Sequence, residues 1–452
     1  MENVVRILES GAGNLAAYLA AHVLLCLLPA FFIAGAMVAL IPKASITRWL
    51  GRNTPRYISY PAAAAAGSLI AVCSCTIVPL FAGVHRKGAG IGPAITFLFF
   101  APAGNILALA YTGSVLGLEF AAARFFLSLV FGIGIGLLMA KIFSSDDAKH
   151  DAQTDALFSE KAVIGSAATG LLLALVALLI AGTLKVAALE GVLLHFSLPL
   201  SFAEAWQAQL FAWVPFDAGK GEEGVSVQGS LLILLLFTIG ITAWKGMENI
   251  IEGPNRWTWI TLVLSASTLL VATLKLTPND GGLEVAITGR VIAEALSLAA
   301  VLWFACKLSA EDWQAWLWES WRFVKQIFLL LIAGVFIVGM ARAIIQPAWI
   351  EALAGQNNLQ GNAIAVGFGV FMYFPTLVEV PVAKMFLDLG MHPGPLLAYL
   401  MADPELSLQS ILMISTVIGR RKAFTYVGWV ALFSIIAGLL FGSWIDAYHI
   451  II

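Results

Sequence analysis

Cys73-Ser74-Cys75-Thr76-Ile77-Val78-Pro79 places two thiols and a proline inside one of the most apolar stretches of the chain. Hydrocarbon offers no water to a broken backbone, so polar and helix-breaking residues at bilayer depth mark positions that line a solute path. Around this stretch the 452 residues are 60% hydrophobic and only 12% charged, with a mean hydropathy of +0.91. Soluble domains carry roughly 25% charged residues, so the composition implies an integral membrane protein. A net charge of −2 says nothing about nucleic acid; no basic cluster of that kind appears, and no nucleic-acid partner is expected. The four cysteines (Cys26, Cys73, Cys75 and Cys306) are too few and too deeply set in apolar sequence for a disulfide framework. The N-terminal residues lack the basic and short apolar regions of a signal peptide, and none is expected.

Apolar segments long enough to span a bilayer lie near 15–41, 91–112, 118–141, 162–189, 228–251, 257–277, 285–306, 323–346, 391–418 and 424–445. Most approach or exceed the roughly 20 residues required. Two more, near 57–84 and 362–388, are interrupted by proline and polar residues and read as re-entrant hairpins. Charge orients them. Lys43, Arg48, Arg52 and Arg56, with Arg86-Lys87 and Arg420-Arg421-Lys422, make one side basic and therefore cytoplasmic. The loop around 190–227 carries Glu190, Glu204, Asp217, Glu222 and Glu223 against Lys220, and lies outside. The expected fold is an all-α integral membrane protein with about ten transmembrane helices plus two broken hairpins, both termini outside.

The two ends of the chain resemble each other. Pro79 and Pro381, Gly92-Pro93 and Gly394-Pro395, and Pro102 and Pro404 are each separated by the same offset (381 − 79 = 302). Ile33-Ala34-Gly35 matches Ile332-Ala333-Gly334 at an offset of 299. An odd number of crossings separates the copies, so they are inverted, and the loop matching the basic one, near 346–361, holds only Glu351. Four blocks follow: a first repeat over 15–141, a hydrophilic cytoplasmic linker over 142–161, central scaffold helices over 162–306, and a second, inverted repeat over 323–445. The central helices have no second copy and form a scaffold or a homodimer surface. Inverted repeats with paired, interrupted helices are the pattern of secondary transporters that bind substrate near the midplane.

Cys73 and Cys75 splay by about 200° on a regular helix but share a side in extended chain. Ser74, Thr76 and Pro79 favour local unwinding. Two converging thiols suit a thiophilic cargo such as a soft metal ion or trivalent arsenic, and would be its metal ligands; the alternative is a pair of ordinary buried cysteines. Glu379, Asp403 and Glu405 stand where the first copy has Ile77, Ala101 and Ala103. Ionised carboxylates at depth are costly, so these acids point to proton coupling or to structural ion pairs. Phe374-Pro375-Thr376 and Pro381 bracket Glu379 with helix breaks, and Lys384 is its candidate partner. Ala101-Pro102-Ala103-Gly104-Asn105 interrupts the first copy, where Asn105 either binds cargo or satisfies freed backbone. Candidate substrate contacts are therefore Cys73, Cys75, Thr76, Pro79, Pro102, Asn105, Pro375 and Thr376; candidate proton-coupling residues are Glu379, Lys384, Asp403 and Glu405. Arg290 and Glu294 read as a structural pair, and Trp313, Trp316, Trp318 and Trp321 as interfacial anchors.

The stretch from Cys73 through Ala82-Gly83, His85-Arg86-Lys87-Gly88-Ala89-Gly90-Ile91-Gly92-Pro93-Ala94, to Pro102 and Asn105 resembles the ArsP/YraQ-type predicted permease family. The resemblance covers both repeats. It implies efflux of a trivalent organoarsenical or a soft divalent metal, with Cys73 and Cys75 handling the substrate. No phosphate-binding loop, zinc-protease motif or nucleophile elbow occurs, so the chain is not expected to be an enzyme and calls for no cofactor. The expected function is a multi-pass permease of the cell inner membrane that exports a soft solute by proton-coupled alternating access. A passive channel and a membrane dithiol redox protein are the alternatives.

Overall fold

The computed structural model describes residues 2–21, 23–41, 43–69, 74–148, 165–183, 189–200, 202–214, 224–279, 282–342, 344, 348–371 and 379–451. The first part of the chain forms α1 (Glu2–Ala21), α2 (Leu28–Leu40), α3 (Lys43–Leu50), α4 (Arg56–Leu69), α5 (Ser74–Arg86), α6 (Ile91–Ala103), α7 (Ile106–Val115) and α8 (Leu118–Ile142). The central part holds α9 (Ser166–Thr183), β1 (Val192–Leu198), α10 (Ala203–Trp213), α11 (Val227–Met247), α12 (Arg256–Thr273), β2 (Lys275–Asn279), β3 (Gly282–Thr288) and α13 (Gly289–Ala305). The last part comprises α14 (Ala310–Arg342), α15 (Ala348–Ala354), α16 (Leu359–Phe371), α17 (Glu379–Asp388), α18 (Pro393–Leu406), α19 (Leu408–Ile418) and α20 (Arg420–Ile451).

Five described helices are long and apolar enough to cross a bilayer: α8, α9, α11, Ala310–Ile337 of α14 and Arg420–Ala447 of α20. Helices α2, α6, α16 and α19 are apolar but shorter. Such a chain is a multi-pass membrane protein. The all-α expectation is amended by a small antiparallel sheet of order β1-β3-β2. It occupies part of the loop expected outside and the start of the span expected at 285–306, whose helix begins only at Gly289. Gly-Leu-Glu-Val-Ala-Ile-Thr is rich in β-branched residues, and pairing with strands on both sides decides it as β3.

The crossings that hold α6 and α18 are matched. α4 packs on α6 and α8, and α6 on α8; α16 packs on α18 and α20, and α18 on α20. Between the two parts, α5 meets α19 and α7 meets α17, while α6 meets α18 and α8 meets α20. Glycines allow the closest approaches. A Cβ added at Gly136 would lie 2.7 Å from the Gly92 carbonyl oxygen, and one added at Gly438 would lie 2.7 Å from that of Gly394. Small residues bring helix backbones into dispersion contact where lipid provides no hydrophobic drive.

Two sequence expectations are corrected here, those for the tryptophans and for Arg290 with Glu294. The tryptophan cluster does not precede a span at 323–346 but belongs to the single helix α14. Trp316 and Trp321 are 4% and 7% exposed, so these two are packing residues. The Trp316 indole donates to the Phe32 carbonyl at 2.9 Å and the Trp321 indole to Glu248 at 2.8 Å. Burial of an indole is tolerated because its N–H finds an acceptor. Residues 144–148 of the expected linker are helical, and Asp147 accepts from the Ile91 backbone N–H at 3.0 Å, capping α6. Arg290 donates to the carbonyls of Ala181, at 3.2 Å, and Gly182 at the C-terminal end of α9, and both oxygens of the buried Glu294 lack a hydrogen-bond partner. The cation thus complements a helix end.

Glu248, just beyond α11, also accepts from Lys325 at 2.8 Å. The Lys325 hydrogen bond, followed by that of Trp321, holds its carboxyl below the ordinary value of 4.5. A depressed carboxyl stabilises the fold above the unfolded value and loses that contribution as pH falls through the folded one. In detergent melting scans, the advantage of wild type over Glu248→Gln will therefore shrink as pH drops below about 4.5. The residue is largely exposed, so the effect is small.

Candidate functional site

Both α6 and α18 end in a proline turn. Pro102 and Pro404 lie in their last turns, where each lacks a backbone N–H to donate. In the first part Gly104 ends α6 and Asn105 opens α7, its side chain accepting from the Ala108 N–H at 2.7 Å and donating to the Pro102 carbonyl at 3.3 Å. In the second part buried Ser407 is the sole joint between α18 and α19, and its hydroxyl donates to Ser410 at 2.8 Å. Asn105 therefore satisfies freed backbone, one of its two expected uses.

An ion pair joins these breaks. Arg124, on α8, and Glu379, at the first position of α17, are both fully buried and bonded directly to each other. The other two guanidinium nitrogens are also engaged: Nε donates to the Ala103 carbonyl at 3.0 Å, and Nη1 to the Thr112 hydroxyl at 3.2 Å. Thr112 in turn donates to the Ala108 carbonyl at 2.7 Å. One cation thus ties the end of α6, the middle of α7 and the start of α17. In the second part the Tyr426 hydroxyl donates to Glu405 Oε2, and both residues are buried. Arg124 and Tyr426 are separated by 302 residues, as are Ala103 and Glu405. Asp403 is buried in the same turn of α18.

Lys384 is not the partner of Glu379. It pairs with Asp388 at 2.6 Å, both exposed, because five residues along α17 carry it away from the junction. Thr76, Pro79, Pro102 and Asn105 are buried. Cys73, Pro375 and Thr376 lie outside the described residues, as do the side chains of Cys75 and Pro381. Among the described residues, no group of three or more His, Cys, Asp or Glu is arranged to hold a metal ion. Arg124 was missed by sequence reasoning. Its signal was present: an arginine within an apolar span, at the offset that also pairs the prolines.

A family model described as a predicted permease matches residues 10–443. The chain belongs to that family. The permease is also 34% identical over 442 residues to the UPF0718 protein MJ0584 of Methanocaldococcus jannaschii, covering 98% of each chain. No solved structure matches it. The family and the apolar helices together make the protein a membrane permease of multi-pass architecture.

Proposed function

We propose that the permease exports a soft, thiol-reactive solute, a trivalent organoarsenical, arsenite or a soft divalent metal, from the cell across the inner membrane. Two inverted repeats, within about ten spans and two broken hairpins, alternate access to a site near the midplane. Cys73 and Cys75 bind the cargo, with Thr76, Pro79, Pro102, Asn105, Pro375 and Thr376 around it. Buried acids at the junction, Glu405 and Asp403, couple its movement to protons, and Glu379 is held there by Arg124. The observation that carries this reading is the fully buried Arg124–Glu379 pair, which links the α6–α7 break to the start of α17. Buried charge at depth in a permease is a mark of the solute or proton route. The 302-residue matches of prolines, glycine crossings and breaks support the repeat, and the basic 42–56 loop against its neutral counterpart supports the inversion.

Thiol handling is tested by uptake of methylarsenite into inverted membrane vesicles. Cys73→Ser with Cys75→Ser will lower uptake at sub-saturating concentration by about tenfold or more, since even second-shell changes at soft-ion sites cost that much. Uptake at the wild-type rate would remove the thiols from the mechanism.

A further inference from the structure

Three carboxyls, Glu379, Asp403 and Glu405, are buried near one end of α17 and α18, and the guanidinium of Arg124 is committed to the first of them. The two halves of the chain treat corresponding positions differently. At the end of α6, Arg124 donates to the Ala103 carbonyl and places its charge on Glu379. At the matching end of α18, the residue corresponding to Arg124 is Tyr426, a neutral donor, and the residue corresponding to Ala103 is Glu405. Glu405 Oε2 accepts from Tyr426, while Oε1 is buried without a hydrogen-bond partner.

Among the described residues, the helices packed on α18 bring no cation to Glu405. α6, α16 and α19 contain no titratable residue. From the others, α20 presents Tyr426, α8 presents Arg124, already bonded to Glu379, and α17 presents Glu379. Lys384 and Asp388, further along α17, are exposed and paired with each other. Asp403 and Tyr399 share α18 itself. A carboxyl buried with one neutral donor and no cation is a place where a proton resides, because an uncompensated ion there is costly.

Resting on the proton-coupled reading above, we propose that Glu405 takes up and releases the transported proton on Oε1, with Tyr426 as its positioning residue, while Arg124 and Glu379 form a fixed ion pair beside it. Release breaks the Oε1–H bond, leaves the electron pair on the carboxylate and passes the proton to water on the open side. Uptake from the other side reverses the step. Tyr426 keeps its own proton throughout and donates to Oε2. The helix breaks that bracket Glu379 in sequence favoured it for this role; its ion pair with Arg124 gives it a different one.

The test uses the full-length protein in liposomes and two readouts. Infrared spectroscopy in H2O and D2O follows the C=O stretch of protonated carboxyls. A band is expected that shifts in frequency in Tyr426→Phe, disappears in Glu405→Gln and remains in Glu379→Gln. Tyr426→Phe preserves the shape of the site, so a shift without loss reports the hydrogen bond rather than misfolding. The second readout is methylarsenite accumulation under an imposed pH gradient. One pH unit is worth about tenfold accumulation at one proton per cargo. Glu405→Gln is expected to equilibrate methylarsenite without accumulating it, so the ratio falls from about tenfold to about onefold. The proposal is overturned if the band survives Glu405→Gln, if it vanishes in Glu379→Gln alone, or if Glu405→Gln accumulates cargo like wild type. If wild type moves no methylarsenite, the cargo reading fails, and the infrared bands alone decide the proton assignment.

Discussion

Arg124→Ala will destabilise the permease by about 3–5 kcal/mol, the usual cost of removing one partner from a buried ion pair. The loss has two sources. Glu379 is left as a carboxylate with no cation, and its second oxygen, Oε2, already lacks a hydrogen-bond partner. The Ala103 carbonyl at the end of α6 and the Thr112 hydroxyl lose their donor as well. Thermal unfolding in detergent will show the drop. The companion experiment removes both charges, with Arg124→Met and Glu379→Met. Apolar replacement of a whole buried pair is often neutral or stabilising, so this double variant will recover much of the lost stability. It will not recover transport if the pair belongs to the moving junction. An Arg124→Ala protein that melts with wild type would show that the pair does not hold α7 and α17 together.

Gly438→Ala is the second large effect. A Cβ there would strike Asn362 Oδ1 and stand 2.7 Å from the Gly394 carbonyl and 2.8 Å from Ala398 Cβ. Two of these atoms belong to the crossing of α18 and α20, so relief requires moving a backbone, and overpacking of this kind costs about 1–3 kcal/mol or more. The same helix supplies its own control. Nothing lies within 4 Å of a Cβ at Gly428, so Gly428→Ala removes only the entropic penalty of a mid-helix glycine and stabilises by about 0.5–1 kcal/mol. The first half repeats the pattern: Gly136→Ala meets the Gly92 carbonyl at 2.7 Å, whereas a Cβ at Gly134 has only an ordinary contact with Phe433 at 3.9 Å. Opposite signs for neighbouring glycines on one helix report the crossing itself rather than helix propensity. Equal effects at Gly438 and Gly428 would refute the close approach.

Much of the architecture was legible in the residues. Long apolar runs, Pro102 and Pro404, and the glycines before Pro93 and Pro395 act locally, through hydrophobicity, a missing N–H and a missing Cβ. They located the break of α6 without any knowledge of contacts, whereas 391–418 read as one apolar span and only the structure divides it at Ser407. The buried acids were legible too, since Glu379, Asp403 and Glu405 interrupt apolar sequence. Their partners were not. Lys384 attracted attention because it is near Glu379 along the chain, yet a helix carries that side chain to the surface. The tryptophans before residue 323 suggested a membrane boundary, but packing against α2 and α11 buries two of them. In the small sheet, β1 pairs with β3 across about 90 residues, which no local pattern specifies. β2 and β3, by contrast, are sequence neighbours with Asp280-Gly281 between them, a local hairpin signal that sequence reasoning missed.

By itself, the amino-acid order determined that this chain enters a bilayer, that the first copy is interrupted after α6, and that its two ends share a pattern of prolines and small residues. These follow from interactions between each residue and its solvent or its immediate neighbours. Which charges meet was decided only by tertiary packing. Arg124 reaches Glu379 across 255 residues because α8 grips α6 and α7 while α17 rests on α7. The same packing sets Tyr426, rather than a cation, against Glu405. In a medium of low dielectric the identity of the nearest partner controls whether a carboxyl stays charged, and that partner comes from distant sequence.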